Sequence, residues 1–240
     1  MSGAEMVIEV LAQEGVDTVF GYSGGAILPT YDAIFRYNER ERGADQADPM
    51  RLVVPANEQG AGFMAAGYAR STGKVGVFLV TSGPGATNTV TPIRDCMADS
   101  VPVVLITGQV ARGAMGTDAF QEAPIVNIMG NCAKHVFLVT RPEQLEDTIR
   151  TAFEVARSGR PGPVVVDLPK DVQNWVGEYK GSGLLGIRGY RQRMESLRQT
   201  PLAEGKARQF FDMLEQSRRP LLYVAGGAIH GEGREALRAF

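Results

Sequence analysis

The sequence predicts an α/β protein built on a doubly wound parallel sheet. Short apolar, β-branched runs recur along the first two thirds of the chain, and amphipathic stretches of helical period lie between them. The runs lack the strict alternation of half-exposed strands, which implies burial on both faces. Such a β-α-β-α rhythm closes into a parallel sheet with right-handed crossovers. At 240 residues the chain can hold one large domain, or one domain and part of another.

The elements follow in order. The opening, MSGAEMVIEV, starts directly with a helical pattern and has no basic segment ahead of an apolar run. No secretory signal is expected. No apolar run approaches the ~18–20 residues that span a bilayer, so the expected setting is cytoplasmic, without a membrane partner. Strands are predicted at 18–22, 52–55, 75–81, 101–107, 136–139 and 164–168. A helix is predicted at 144–158, where Leu145, Ile149, Phe153 and Ala156 recur at helical spacing before Gly159 and Pro161 stop it. The rhythm breaks after Asp171, and 174–200, rich in Gly, Arg, Gln and Ser, reads as a linker. A helix at 203–215 and a strand at 220–225 running into Gly226 and Gly227 then read as the opening of a second α/β domain. One helix and one strand cannot bury a core, so the expected organisation is a complete domain over 1–173 and the start of another over 201–240.

Composition narrows the function. A net charge of -2 leaves no basic excess to neutralise phosphates, so nucleic acid is not an expected partner. Cys96 and Cys132 lack C-x-x-C spacing and a histidine cluster, which argues against zinc and for plain thiols in a reducing compartment. The 29 glycines point to tight turns or to backbone lying against a ligand.

Ligands of α/β sheets bind outside the carboxyl ends of the strands, and four loops there are chemically unusual. Gly21-Tyr22-Ser23-Gly24-Gly25 fits the G-x-S-x-G pattern of a nucleophile elbow. A serine hydrolase would need a base, and the histidines are only His135 and His230. Other readings are a glycine turn in which Ser23 initiates a helix, or a backbone platform for a flat ligand. In Pro55-Ala56-Asn57-Glu58-Gln59-Gly60-Ala61-Gly62 a lone acid enters a Gly- and Ala-rich helix. An acid is favourable at a helix N-terminus, but small neighbours and the lack of a basic residue suit proton transfer. Thr81-Ser82-Gly83-Pro84-Gly85-Ala86-Thr87-Asn88 fails as a dinucleotide fingerprint because Asn88 stands where glycine is required. Gly73-Lys74 is followed by Val75, so no Walker A loop exists. The segment from Thr107-Gly108-Gln109-Val110 through Gly116-Thr117-Asp118-Ala119-Phe120-Gln121-Glu122 reads as an active-site loop.

Taken together, Asn57-Glu58-Gln59-Gly60-Ala61, Gly67-Tyr68-Ala69-Arg70 and the Val80 to Asn88 segment resemble the pyrimidine-binding domain of thiamine-diphosphate enzymes. Asp99-Ser100-Val101-Pro102, Gly108-Gln109-Val110, the Gly116 to Glu122 segment and the run from Gly159 to Gln173 are similar to the acetohydroxyacid synthase (acetolactate synthase) branch. The resemblance implies condensation of two pyruvates, or of pyruvate and 2-oxobutyrate, with loss of CO2, at the start of branched-chain amino-acid synthesis. It implies that Glu58 hydrogen-bonds the cofactor's aminopyrimidine and favours the imino form, whose nitrogen takes the thiazolium C2 proton. Gly24 and Gly25 match a glycine pair against the active site. Gln121 matches a cofactor- and substrate-side glutamine; Phe120 and Lys170 match the substrate channel. Arg160 and Ser100 match FAD contacts, and Gly226 and Gly227 the start of an FAD-holding middle domain.

The resemblance also implies a homo-oligomer and a possible regulatory subunit. The cofactor's Mg²⁺ would sit on a Gly-Asp-Gly motif, which is absent here, so no metal ligand is assigned in this chain. The 240 residues alone are accordingly expected to be inactive. The branch pattern has Pro at Ser23, His at Asn57 and Pro at Ala111. Glyoxylate carboligase, sulfoacetaldehyde acetyltransferase and pyruvate oxidase share the scaffold. A non-catalytic module of the same fold would be marked by loss of Glu58, which is present.

Overall fold

The computed structural model describes residues 1–42, 48–198, 202–226 and 233–240. They form two units, Met1–Gly186 and Ile187–Phe240.

The first unit is built on six parallel strands: β1 (Thr18–Tyr22), β2 (Arg51–Val53), β3 (Gly76–Val80), β4 (Val103–Gln109), β5 (His135–Leu138) and β6 (Val164–Pro169). Each predicted strand is present, with its ends displaced by two residues or fewer. β3, β4 and β6 are buried along their whole length, as the unbroken apolar runs require. The strand order is β2-β1-β3-β4-β6-β5. The chain therefore moves from β1 outward to β2, then returns past β1 to β3 and β4. That reversal creates a crevice between the carboxyl ends of β1 and β3.

The helices of this unit are α1 (Gly3–Gln13), α2 (Leu28–Glu41), α3 (Glu58–Thr72), α4 (Pro84–Thr87), α5 (Val90–Asp99), α6 (Ile125–Met129), α7 (Leu145–Arg157) and α8 (Lys170–Asn174). α1, α2, α7 and α8 pack against one another on one face of the sheet. α3, α5 and α6 cover the other, where Ala61, Ala65, Ala66 and Ala69 of α3 meet Phe20, Phe78 and Leu105. α7 lies within one residue of its predicted span at each end. Asn57 caps α3 through a 2.8 Å bond from the Gly60 N–H to its Oδ1, and left-handed Gly73 ends the helix.

α3 lies unusually close to its neighbours. A methyl group on Gly62 would stand 2.5 Å from Pro92 Cγ of α5, and one on Gly76 of β3 would stand 2.2 Å from the Ala65 carbonyl. Both glycines exist because no side chain fits between helix and sheet.

Residues 174–185 run along α1 and α7. Gly177 N donates to Met1 O at 3.0 Å. Lys180 N and Gly181 N donate to the buried Glu146 carboxylate at 2.9 and 3.0 Å, and Leu185 N donates to Thr151 Oγ1 at 2.8 Å. Arg150, also buried, pairs with Glu146 and donates to Gln13 and to the Tyr179 hydroxyl.

The second unit contains α9 (Tyr190–Arg198), α10 (Glu204–Gln216) and α11 (Gly233–Ala239). α10 is the helix predicted at 203–215. The strand predicted at 220–225 does not form; the segment has no regular structure. A strand needs a ladder partner for its N–H and C=O groups, and no second strand lies among the described residues of this unit. Phe210, Phe211 and Phe240 cluster there, yet all three stay exposed. Gly227 and His230 lie outside the described residues.

Two alanine substitutions in α3 separate packing from helix propensity. Gly67 has nothing within 4 Å of an added methyl group, so Gly67→Ala should raise stability by up to ~1 kcal/mol. Gly62→Ala gains the same propensity but meets Pro92, and should lower stability by ~1–3 kcal/mol. Thermal unfolding of the two variants should shift in opposite directions.

Candidate active site

Glu58 is the first residue of α3, placed at the carboxyl edge of the sheet by the short link from β2. Its side chain is 9% exposed. Asn88 Nδ2 donates to its Oε2 at 2.9 Å. Among the described residues no Lys, Arg or His pairs with it. Burial of Tyr31 and, second to it, the charge of Glu58 push the Tyr31 phenol far above its ordinary range. Tyr31 therefore stays protonated and donates to Leu79 O at 3.1 Å.

Glycine backbone surrounds the carboxylate. An added methyl on Gly85 would lie 3.3 Å from Glu58 Oε1 and 2.6 Å from Thr81 Cγ2; one on Gly24 would lie 2.6 Å from Thr81 Cβ. Gly24, Thr81, Gly85 and Glu58 are thus in continuous contact across the β1–β3 crevice. Thr81 Oγ1 accepts from Ala26 N at 3.3 Å and fixes the turn after β1. Gly25 is open, with nothing within 4 Å.

The loop after β4 approaches the same edge. Gly83, at φ 54°, faces the Gln121 carbonyl, which an added methyl would meet at 2.5 Å. Gln121 is itself left-handed at φ 57°, as is Asp118 at φ 56°; such non-glycine backbone is strained. Phe120 is 88% exposed and Gln121 is exposed beside it. Glu122 stabilises the turn by accepting from Gly116 N and Ala119 N, bonds that hold its carboxyl below the usual range. Lys170 is exposed directly after β6, whose last residue pairs with Gln109 of β4.

Beneath this loop lies a buried polar group. Asp167 accepts from Thr107 Oγ1 at 2.8 Å and from Gln109 Nε2 at 3.0 Å. The same Gln109 Nε2 donates to Ala123 O at 3.0 Å. Burial pushes the Asp167 carboxyl up to about 6, against the lowering effect of these two bonds.

Arg160 and Ser100 sit together, but elsewhere. Arg160 Nε donates to Ser100 Oγ at 2.8 Å, and Nη2 donates to Met97 O and Ala98 O at 2.9 and 2.8 Å. The guanidinium thus satisfies carbonyls at the end of α5. Ser100 precedes β4 and Arg160 precedes β6, so the pair lies at the amino edge, opposite Glu58. Gly226 belongs to the second unit.

The serine-hydrolase reading finds no base among the described residues. Ser23 follows β1 at the carboxyl edge, whereas His135 opens β5 at the amino edge of the outermost strand. Nor does Ser23 initiate a helix: α2 begins at Leu28, with Ile27 at its N-cap and no side-chain cap, because the turn after Ser23 intervenes.

Sequence reasoning missed Asn88 as the partner of Glu58, Thr81 as the floor between the glycines, and the Gln109–Asp167 pair. Asn88 stood in a quoted motif, but only as the residue that broke a glycine fingerprint.

A buried, cation-free carboxylate with one amide partner and glycine backbone beside it suits a neutral, flat, hydrogen-bonding heterocycle such as an aminopyrimidine. The chain belongs to the thiamine pyrophosphate enzymes: residues 1–129 match the family's N-terminal TPP binding domain. Its relatives are more particular. It is 44% identical to the acetolactate synthase large subunit of Corynebacterium glutamicum over 100% of this chain and 36% of that protein. It is 44% identical to the mitochondrial acetolactate synthase catalytic subunit of Saccharomyces cerevisiae, over 99% of this chain and 34% of that one. The large subunit of acetolactate synthase isozyme 2 of Escherichia coli is also 44% identical, over 100% of this chain and 40% of its own length. The chain thus spans about a third of the length of these relatives. Among the described residues no helix is long and apolar enough to cross a membrane.

Asp167 makes a pH prediction. Its folded pKa of about 6 lies above the ordinary 3.8, so its contribution to stability is full below 3.8 and is lost as pH rises through 6. Relative to Asp167→Asn, the protein should lose roughly 2–3 kcal/mol between about pH 4 and 6 and nothing further above. Denaturant titrations of both proteins across that window would check this.

Proposed function

We propose that the chain is the pyrimidine-binding portion, with the beginning of the middle domain, of an acetolactate synthase catalytic subunit. The whole enzyme would condense two pyruvates, or pyruvate and 2-oxobutyrate, into 2-acetohydroxy acids with release of CO2, opening branched-chain amino-acid synthesis. The observation that carries this reading is Glu58, a buried carboxylate without a cation in a glycine-lined crevice. Identity of 44% along the whole chain to acetolactate synthases supports the branch.

When bound, thiamine diphosphate supplies a nucleophilic carbon and an electron sink for decarboxylating a 2-oxo acid. The chain's own residues orient it. Asn57 caps α3 and so fixes the helix start; Asn88 steadies one oxygen of Glu58 and leaves the other toward Gly85 to hold a proton shared with the aminopyrimidine. Gly24 and Gly25 give the ring a flat backbone wall. Gln121, Phe120 and Lys170 are assigned to the substrate side, where Phe120 offers an apolar contact and Lys170 favours an anionic 2-oxo acid. Arg160, Ser100, Gly226 and Gly227 are assigned to FAD. Mg²⁺ and the diphosphate are assigned to the part of the relatives that this chain does not cover. The two unpaired thiols fit a reducing, cytoplasmic setting. A regulatory subunit is a further possible partner of the whole protein. Asn57 fits its place as an N-cap, and Ala111 holds φ at -57°, close to the value proline would impose.

In the full-length enzyme, Glu58→Gln should cut turnover by ~10²–10⁴-fold while circular dichroism stays unchanged. Near-normal exchange of the cofactor's C2 proton in the variant would show that Glu58 has another role. The full-length enzyme should also be at least a dimer, since in the family the cofactor lies between domains of two subunits. Light scattering that finds an active monomer would exclude this arrangement.

A further inference from the structure

We propose that Gln109 and Asp167 are positioning residues that fix the loop bearing Phe120 and Gln121 by holding the Ala123 carbonyl. The proposal deepens the functional reading above and rests on it for the roles of Phe120 and Gln121.

The geometry is directional. Asp167 Oδ1 accepts from Thr107 Oγ1 at 2.8 Å, and its Oδ2 from Gln109 Nε2 at 3.0 Å. Gln109 Oε1 accepts from Val110 N at 2.8 Å. With its oxygen engaged by Val110 N, the amide presents its Nε2 to both Asp167 Oδ2 and Ala123 O, each at 3.0 Å. Thr107, Gln109, Ala123 and Asp167 are all buried, so an acceptor left without a donor there cannot turn to water. Ala123 directly follows the turn in which Glu122 clamps Gly116 N and Ala119 N. Its carbonyl also accepts from Ile125 N at 2.8 Å, where α6 begins. Holding that carbonyl therefore sets where the loop ends. At its start the loop is held separately, by Arg112 on Asp171 and on Thr140 O. Between the two anchors Gln121 keeps a left-handed backbone against Gly83, a conformation that persists only where the surroundings enforce it.

A swapped pair separates positioning from plain stability. In Gln109→Glu/Asp167→Asn the new amide can donate to the new carboxylate while its oxygen still accepts from Thr107. The Val110 N–H keeps its acceptor, but Ala123 O loses the Gln109 donor and keeps only the local bond from Ile125 N. In the full-length enzyme the double variant should unfold near the wild-type temperature, whereas Gln109→Glu alone, with two carboxylates facing, should not. Amide exchange over 114–124 in the double variant should rise about five- to tenfold, with α3 unchanged. KM for pyruvate should rise more than kcat falls. Wild-type exchange over 114–124 in the double variant overturns the proposal. Should the double variant fail to regain stability, Gln109→Met, which keeps the volume and removes both donated bonds, is the deciding protein: faster exchange confined to 114–124 supports the proposal, and unchanged exchange overturns it. Faster loop exchange with an unaltered KM would uphold the positioning role and overturn instead the substrate-side reading of Phe120 and Gln121.

Discussion

The close seat of α3 on β3 and α5 is the constraint on which the site depends. Gly62, Ala65 and Gly76 leave no room for the helix to shift, since methyl groups on either glycine would strike Pro92 or the Ala65 carbonyl. A helix held this tightly carries its first residue to a fixed place, and that residue is Glu58. A carboxylate that must share a proton with a ring tolerates little error in position. The alanine face of α3 is thus the means by which a packing requirement of the core becomes geometry at the sheet's edge.

The site is assembled from groups that limit charge. Glu58 has an amide partner rather than a cation, and Tyr31 nearby stays protonated. The remaining wall is backbone: Gly24 and Gly85 close over Thr81 from two loops that follow neighbouring strands. This follows from the reversal of strand order between β1 and β3, which opens a crevice that side chains would otherwise fill. Guanidinium groups are kept outside it: Arg112 pairs with Asp171 beside the loop, and Arg160 donates to Ser100 and backbone carbonyls at the far edge.

Much of the first unit was legible in the sequence for a simple reason. Strands buried on both faces must be written as apolar runs, and β3, β4 and β6 are such strands; the six runs are all strands, but β2 and β5, at the sheet edges, lack the expected burial on both faces. Glu58 stood out because an acid among Gly and Ala is conspicuous. The partners were not legible, because they depend on strand order. Asn88 meets Glu58 only because β3 lies beside β1, and Asp167 meets Gln109 only because β6 inserts between β4 and β5. Local pattern misled at 220–225, where an apolar run without a neighbouring strand stays irregular. It misled also at Ser23, read as a helix-initiating residue, because a turn intervenes before α2 begins at Leu28.

The segment along α1 and α7 has a consequence for synthesis. Met1 and Gly177 exchange hydrogen bonds across a separation of 176 residues, and Ser2 bridges Val176. α1 packs on α2, which follows at once, and on α7 and α8, which follow much later in the chain. At ~5–20 residues per second, α1 waits on the order of ten seconds or more on the ribosome for these partners. Through that interval α2 can cover part of α1, the side that meets α7 and α8 stays uncovered, and the capping box of Ser2 and Glu5 stabilises the helix from within. The order of translation thus leaves one side of α1 open in the nascent domain until the segment of chain around residue 177 arrives to cross it.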